Sequence, residues 1–526
     1  MTRTKLLRTL VVGALAVGAG TTAVAVPLMA SAASTGYEAE SATLSAATVA
    51  TNHPGFTGTG FVDYTNAAGG FVEFSVNAAQ AGDVTLTFRY ANGSTSARPV
   101  DVAVNGTTVQ SVSFAPTGDW STWKTVDVSA TLTAGTNTVR ATGTGSAGGP
   151  NLDSLTVTDG ATQPPPGTDW SVAMANTVMA QHSATSLSWS YPNGLYLYGQ
   201  FLLYQRTKDP KLLSYIQAWA DHFIDSSGHI SNSFNSLDST QPGVVYLALF
   251  QQTGQTKYKN AAKQIETRLE HSNYPRVDGA LQHATSRPSQ LWGDGTFMST
   301  PFLARYENLI GDSGTARADA IKNLLTYFKH LSRGNGLLWH AYDAAAAQSW
   351  VVPGTNHSPE TWCRAMGWFS MATVMVLDAT PASTSGRSQV IANFQQIAPA
   401  LKQFQDPKTG RWFQVVDKGN RSDDWTETSC SSMFTYALSR GAAAGYIDAS
   451  YQSVARTGYL GPNGDGKNGV LGKISLDSSK HVVLTDICIG TNVGDYSFYI
   501  GRPRATNDFH GLGSFMIMNE QLRGTT

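Results

Sequence analysis

Three successive prolines within residues 160–169, GATQPPPGTD, remove backbone donors and hold the chain extended, so no helix or sheet can run through them. The sequence on the two sides has different textures, and each side must fold by itself. Between about residues 37 and 159 it is rich in Thr, Val, Gly, Ser and Ala, with alternating runs such as DVTLTFRYA, VDVAVNG and TWKTVDVSA separated by Gly and Asn turns. That pattern predicts an antiparallel, jelly-roll-like β-sandwich over 34–159. From Trp170 the period becomes helical. In KLLSYIQAWADHFI the residues Leu212, Ile216, Trp219 and Phe223 fall on one face.

The helical part, 170–526, repeats loosely in pairs. One set of helices is apolar and rich in small residues, starting near Gly194, Gly243, Thr300, Trp368, Ser431 and His510; each follows a loop crowded with Trp, Asp, His, Arg or Gly. The other set is amphipathic, around 172–181, 211–225, 257–269, 316–328, 388–404 and 449–457. Helices apolar all round belong inside and one-sided helices cover them. Six of each can close as an inner and an outer ring, with the loops that enter the inner ring gathered at one mouth.

A chain of 526 residues, 41% hydrophobic, can build more than one core. Its 36 Lys and Arg against 37 Asp and Glu give a net charge of -1, which excludes a global field for nucleic acid or an anionic membrane. An acidic ligand must therefore be met by local groups. Residues 1–33 combine a basic start (Arg3, Lys5, Arg8), an apolar run and the small-residue exit MASAAS, the pattern of a cleaved secretory signal, so a secreted, extracellular protein is expected. No later stretch reaches the roughly 18 uninterrupted apolar residues of a membrane span. Cys363, Cys430 and Cys488 are an odd set for an oxidising compartment; their spacing does not suit zinc, and one pair plus one buried thiol is one open arrangement.

The stretch SQLWGDGTFMSTPF sets a single carboxylate, Asp294, between glycines and behind Trp292. Proline is tolerated in the first turn of a helix, so Pro301 puts Asp294 on the entering loop or at the extreme N-terminus. There it is either a plain complement to the helix dipole or a functional acid. Other loops bring Asp238 (LDSTQPG), His283 (LQHATSRPSQLW), His340 and Asp343 (LLWHAYD), and Arg364 and Trp368 (TWCRAMGW). Taken singly, Asp238 could start a turn, the histidines could be interior, and the tryptophans could be core. Their joint arrival at one mouth favours a site. Arg364 and Trp368 are four residues apart on one helical face, where a guanidinium and an indole can flank a carboxylated sugar.

Across the helical part, SWSYPNGLYLYGQFLLY, LDSTQPG, QLWGDGTFMSTPFLARY, LLWHAYD, RAMGW and NDFHGLGSF resemble the unsaturated rhamnogalacturonyl hydrolases of glycoside hydrolase family 105. The resemblance implies an (α/α)6 barrel and removal of a terminal Δ4,5-unsaturated galacturonyl residue from lyase-generated pectin or rhamnogalacturonan oligosaccharides, without a catalytic cofactor. It makes Asp294 the acid/base, Asp238 its partner carboxylate, and His283, Trp292, His340, Arg364 and Trp368 substrate contacts. The front part, through YEAESA, GFTGTGFVDY, RYANG, VAVNG, DWSTWKTV and PNLDSLTV, resembles family 35 carbohydrate-binding modules, which would engage polysaccharide. That implies a structural Ca2+ at Glu38, Glu40 and Asp153, whose hard oxygens suit the ion, and ligand contacts from Asn151, Arg98 or Tyr64. Trp120 and Trp123 are expected to pack on the sheet.

The substrate implied is an enol ether. Protonation at C4 develops positive character at C5 beside the ring oxygen, water adds there, and the hemiketal opens and expels the remaining chain. One carboxyl can serve both steps if it starts protonated. Burial behind Trp292 and repulsion from an ionised Asp238 would keep Asp294 protonated against the helix dipole, with a weakly acidic pH optimum. Left open are an unsaturated glucuronyl end group from glycosaminoglycan-like or algal polymers, a lyase of similar fold, and a glycan-binding protein without turnover.

Overall fold

The computed structural model describes residues 34–78, 82–159, 168–270 and 273–523. The expected signal segment, 1–33, and residues 160–167 of the proline-rich segment lie outside them. The chain divides into two compact units, Met1–Gly160 and Ala161–Thr526.

The first unit is an antiparallel sandwich of eleven described strands: β1 (Ser34–Glu38), β2 (Thr43–Ser45), β3 (Ala47–Ala50), β4 (Phe61–Tyr64), β5 (Phe71–Ala78), β6 (Gly82–Ala91), β7 (Arg98–Val104), β8 (Thr107–Phe114), β9 (Lys124–Leu132), β10 (Gly135–Gly143) and β11 (Asn151–Asp159). One sheet runs β3-β4-β11-β6-β9 with β1 beside β11, and the other runs β2-β5-β10-β7-β8. Alternation decides which residues point inward. In β5, Val72, Phe74 and Val76 are buried while Ser75 and Asn77 are exposed, and they meet Leu86, Phe88 and Val128 of the other sheet in one core.

In the second unit the amphipathic helices are α1 (Trp170–Gln181), α3 (Pro210–His222), α5 (Thr256–Leu269), α7 (Ala316–Leu331), α9 (Arg387–Gln403) and α11 (Tyr451–Leu460). They alternate with the nearly all-buried helices α2 (Tyr191–Thr207), α4 (Gly243–Thr253), α6 (Asp294–Leu309), α8 (Cys363–Ala379), α10 (Thr428–Ala443) and α13 (Phe509–Leu522); a short α12 (Tyr496–Ile500) precedes the last. The buried helices touch in the cyclic order α2-α4-α6-α8-α10-α13 and back to α2, and the one-sided helices pack outside. This is the double ring the pattern predicts. Among the described residues no helix is long and apolar enough to cross a membrane.

Apart from α4, which starts at Gly243 as expected, the inner helices begin earlier than expected. α6 starts at Asp294 rather than near Thr300, and Pro301 sits inside it rather than in its first turn. Their first turns carry Thr and Ser hydroxyls that bond back to the helix, as Thr296 does to the Gly293 carbonyl and Ser432 to that of Thr428, so polar residues are buried there at little cost.

Candidate active site

The loops that enter the inner ring are stitched to one another. Ser236 bridges Ala284, Gln290–Trp292 pairs with Ala341–Asp343, Gly293 donates to the His340 carbonyl at 2.8 Å, and Trp362 bridges Val415. Asp238 lies in the 3-10 turn Leu237–Ser239, and the Leu237 amide donates to the His283 carbonyl. The glycine after Asp294 permits this closeness: a Cβ on Gly295 would lie 2.9 Å from Leu237 and 2.4 Å from the Tyr327 hydroxyl. Asp294 is thereby set at the start of α6 beside the turn that carries Asp238.

Asp294 is 7% exposed, and its carboxylate meets His340 Nε2 at 3.1 Å. On the other side of that ring, Nδ1 is 2.6 Å from the Tyr499 hydroxyl, whose oxygen accepts from the Gly494 amide. Tyr499 therefore gives its proton to Nδ1, and His340 presents Nε2–H to Asp294. Burial pushes the Asp294 carboxyl up, but the hydrogen bond from His340 and the electrostatic influence of the His340 and His283 imidazoles outweigh it and hold the group below the usual range. Asp238 behaves oppositely: burial and the neighbouring Asp294 charge raise it to about 7, against the opposing charge of Arg287. The proton expected on Asp294 thus resides on Asp238, because the histidine hydrogen bond goes to Asp294. His283 lies flat against Trp292, with ring centroids 4.3 Å apart, and burial lowers it to about 4, so it is neutral.

Three expected substrate contacts have no exposed surface. His340 is 0% exposed and holds Asp294. Arg364 is also 0% exposed, and its guanidinium donates to the carbonyls of Cys488 and Ile489 and to the Ser429 hydroxyl, with Glu427 at 3.9 Å. It ties down the segment beyond Ile487 instead of facing a sugar. Trp368 is packed between Phe297 and Tyr191. Asp343 caps a turn by accepting from the amides of Ala345, Ala347 and Gln348. Trp292 and His283, at 4% and 6% exposure, remain at the edge of the site. Cys363 and Cys430 form a disulfide between the starts of α8 and α10, and Cys488 is free and buried.

The structure adds residues that were not singled out. Asp508 Oδ1 lies 2.5 Å from His510 Nδ1, and His510 Nε2 lies 2.6 Å from the Tyr191 hydroxyl. The carboxylate fixes the ring tautomer, so Tyr191 donates to Nε2 and leaves its oxygen lone pairs free. Asp238, Arg364, Asp294 and Asp508 all act on this hydroxyl electrostatically, which places it among the site's charges. The motif NDFHGLGSF carried the signal, but its partner Tyr191 is 319 residues away. Trp362, the neighbour of Cys363, stacks on Tyr499 and backs His340.

In the sandwich, Asn151 is buried at the start of β11, and Arg98 is half-buried, lying on the Trp120 ring and donating to the carbonyls of Ala147 and Gly149. Tyr64 is no ligand contact: it is 3% exposed and its hydroxyl is spent on the Ala141 carbonyl. Trp123 packs edge-on to Phe61, as expected of a sheet residue. Thr57 links Glu38 to Asp153 through its hydroxyl, and Thr59 binds Glu40. Asp153 is fully buried and ion-paired with Arg89. Glu40 Oε2 is buried with no partner, an orphaned oxygen of the hard kind that Ca2+ takes, although Glu38, Glu40 and Asp153 do not bring three carboxylate oxygens within 4.8 Å of one another. Among the described residues, the set of three His, Cys, Asp or Glu ligand atoms lying within 4.8 Å of one another is Cys363, Glu427 and Cys430, and the disulfide uses both its sulfurs.

A double helical ring whose mouth holds two unlike carboxyls, joined to a β-sandwich module, defines a glycoside hydrolase with a carbohydrate-binding module. The chain belongs to glycosyl hydrolase family 88, whose model matches residues 168–523, and residues 35–159 match carbohydrate binding module family 35. A family 105 glycoside hydrolase of C. acetobutylicum ATCC 824 is similar with a TM-score of 0.63 and 29% identity, covering 68% of this chain and 100% of that one. A possible family 105 member from Klebsiella pneumoniae, 20% identical with a TM-score of 0.57 over 69% of this chain and 96% of that one, shares the fold. An exo-beta-D-glucosaminidase of Amycolatopsis orientalis is 47% identical over 122 residues, 23% of this chain; the chain spans only 12% of that relative's length.

Proposed function

We propose that the protein hydrates the C4=C5 bond of terminal Δ4,5-unsaturated galacturonyl residues on lyase-generated rhamnogalacturonan or pectin oligosaccharides. The observation that carries this reading is the pair of neighbouring carboxyls displaced in opposite directions, one holding a proton up to about pH 7 and the other ionised. Such a pair supplies an acid and a base at once. Asp238 delivers its proton to C4, and Asp294 takes the proton of the water whose oxygen adds to C5. The C5 hemiketal then opens to a ketone and a C1 hemiacetal, whose collapse frees the leaving sugar. Two separately tuned carboxyls thus replace the single acid/base.

The electrostatics also support a weakly acidic pH optimum, since Asp238 must keep its proton and Asp294 must lose its own. A Ca2+ ion held by Glu38, Glu40 and Asp153 would brace the loops of the sandwich and take no part in the chemistry. Secretion, through residues 1–33, belongs to the same proposal, as does polysaccharide binding by the sandwich.

The test is turnover of a panel of unsaturated disaccharides with galacturonyl or glucuronyl ends, followed by the absorbance of the conjugated bond. Loss of absorbance with galacturonyl ends is expected. Loss only with glucuronyl ends would move the substrate to glycosaminoglycan-like or algal polymers. A rise on intact polymer would make the protein a lyase, and no change on any substrate would leave a binding protein.

A further inference from the structure

A terminal uronate presents a carboxylate, and a chain with no net positive field needs one local cation to receive it. Two arginines act on the charges of the site. Arg364 is enclosed and committed to backbone carbonyls. Arg287 is different. It lies on the loop between His283 and Trp292, is partly exposed, and has its guanidinium carbon 4.4 Å from the centre of the Trp292 ring. Its charge bears on both Asp238 and His283. The stacked contact engages the face of the guanidinium and leaves N–H groups along its edge for a planar, bidentate acceptor. Among the described residues, its guanidinium donates one hydrogen bond, a long one of 3.3 Å to the Asn492 side chain.

We propose that Arg287, held against the Trp292 indole, receives the carboxylate of the terminal sugar; this rests on the unsaturated-uronate reading above. The stack explains how a long side chain is pre-positioned. Trp292 is in turn fixed by His283 on its ring and by its Nε1–H, which donates to Gln290 at 2.9 Å. His283, Trp292 and Arg287 thus form one layered wall beside Asp238, with the cation as its part nearest solvent. Neutral His283 adds no competing charge.

The experiment compares Arg287→Gln and Arg287→Lys with wild type on one unsaturated disaccharide, as the free acid and as its methyl ester. For Arg287→Gln, kcat/KM on the acid should fall roughly ten- to a hundredfold, mainly through KM, and on the ester by less than about threefold. Arg287→Lys should recover part of the loss on the acid, since it keeps the charge without the fork. Removing the guanidinium should also move the alkaline limb of the rate profile upward, because the charge that opposes the raised Asp238 carboxyl is gone. Equal losses on acid and ester, or no loss on the acid, would overturn the assignment and make Arg287 a brace for the Asn492 loop. If Arg287→Gln melts early, the acid-to-ester ratio of Arg287→Lys decides in the same way. A wild type inactive on both substrates overturns the uronate reading, and this assignment with it; an active wild type with an indifferent ratio overturns the assignment alone.

Discussion

The protein keeps two groups of carboxylates in its two units and treats them in opposite ways. In the sandwich, Glu38, Glu40 and Asp153 are served by Thr57, Thr59 and the ion pair from Arg89, so two hydroxyls, two amides and a cation meet their oxygens. In the barrel, Asp294 is buried and Asp238 partly so, and they do not share one set of partners. His340 serves Asp294, and Asp238 is left with the distant charge of Arg287. The first group has donors from Thr57, Thr59 and Arg89 on its oxygens, with Glu40 Oε2 left over. The second keeps one proton, because two neighbouring carboxylates with a single histidine donor cannot both ionise cheaply. The difference lies in the partners supplied by the surrounding loops, since the residue types are the same.

The sharpest way to break this comparison is Asp294→Asn. The amide keeps the shape but cannot take a proton from water, so kcat should fall by roughly 10² to 10⁴ while the fold persists. A variant that keeps most of its rate on an unsaturated disaccharide would remove Asp294 from the base role.

A smaller effect is expected from the proton on Asp238. Its folded value of about 7 lies above that of an unfolded aspartate, so the neutral carboxyl contributes stability that is full below about pH 4 and is lost as pH rises through 7. Asp238→Asn removes the ionisation. Relative to wild type it should be unchanged at pH 4 and more stable at pH 8, by about 1 to 3 kcal/mol once the partly open setting is allowed for. Turnover should fall at both pH values. Equal stability of variant and wild type at pH 8, by denaturant titration, would show that Asp238 ionises freely.

On the Ca2+ proposal, the sandwich should respond to a chelator. Calorimetry of the whole chain with and without chelator should show one transition lowered by several degrees, on the order of 1 to 3 kcal/mol, and Glu40→Gln should abolish the response. An indifferent thermogram would leave Glu40 as a plain acceptor for Thr59.

Much of this was legible in the chain. Alternation and helical period revealed the sandwich and both rings, because each pattern has a single face to bury. Asp238 and Asp294 were legible because each sits in a glycine- or turn-rich loop before an inner helix. What residue type could not tell is which side of a loop faces the mouth: Arg364 and Trp368 share a helical face, and that face is enclosed by Phe297, Tyr191 and the Cys488 segment. The Asp508–His510–Tyr191 chain joins the two ends of the barrel sequence, and Arg287 looked like any loop arginine until the Trp292 ring was seen beneath it. Partners remote in sequence also set which carboxyl holds the proton.

The smallest effect is expected from removing residues 1–169. The barrel closes its own ring between α2 and α13, and Asp169, the last residue removed, caps α1 through the Val172 amide at 3.2 Å and pairs with Arg206. Losing that cap and the half-exposed ion pairs with Arg206 and Arg523 should cost about 1 to 2 kcal/mol at the rim of the barrel, far from the chemistry. Asp238, Asp294, His340, Tyr499 and the Asp508–His510–Tyr191 chain are all retained, and their hydrogen bonds lie within the second unit. Turnover of a soluble unsaturated disaccharide should therefore stay within about twofold, while retention on insoluble polysaccharide should be lost, because tethering raises local concentration without altering the site. A truncated chain that melts normally yet loses most of its disaccharide activity would mean that the sandwich supplies part of the site, and the division of labour between the two carboxylate groups would fail with it.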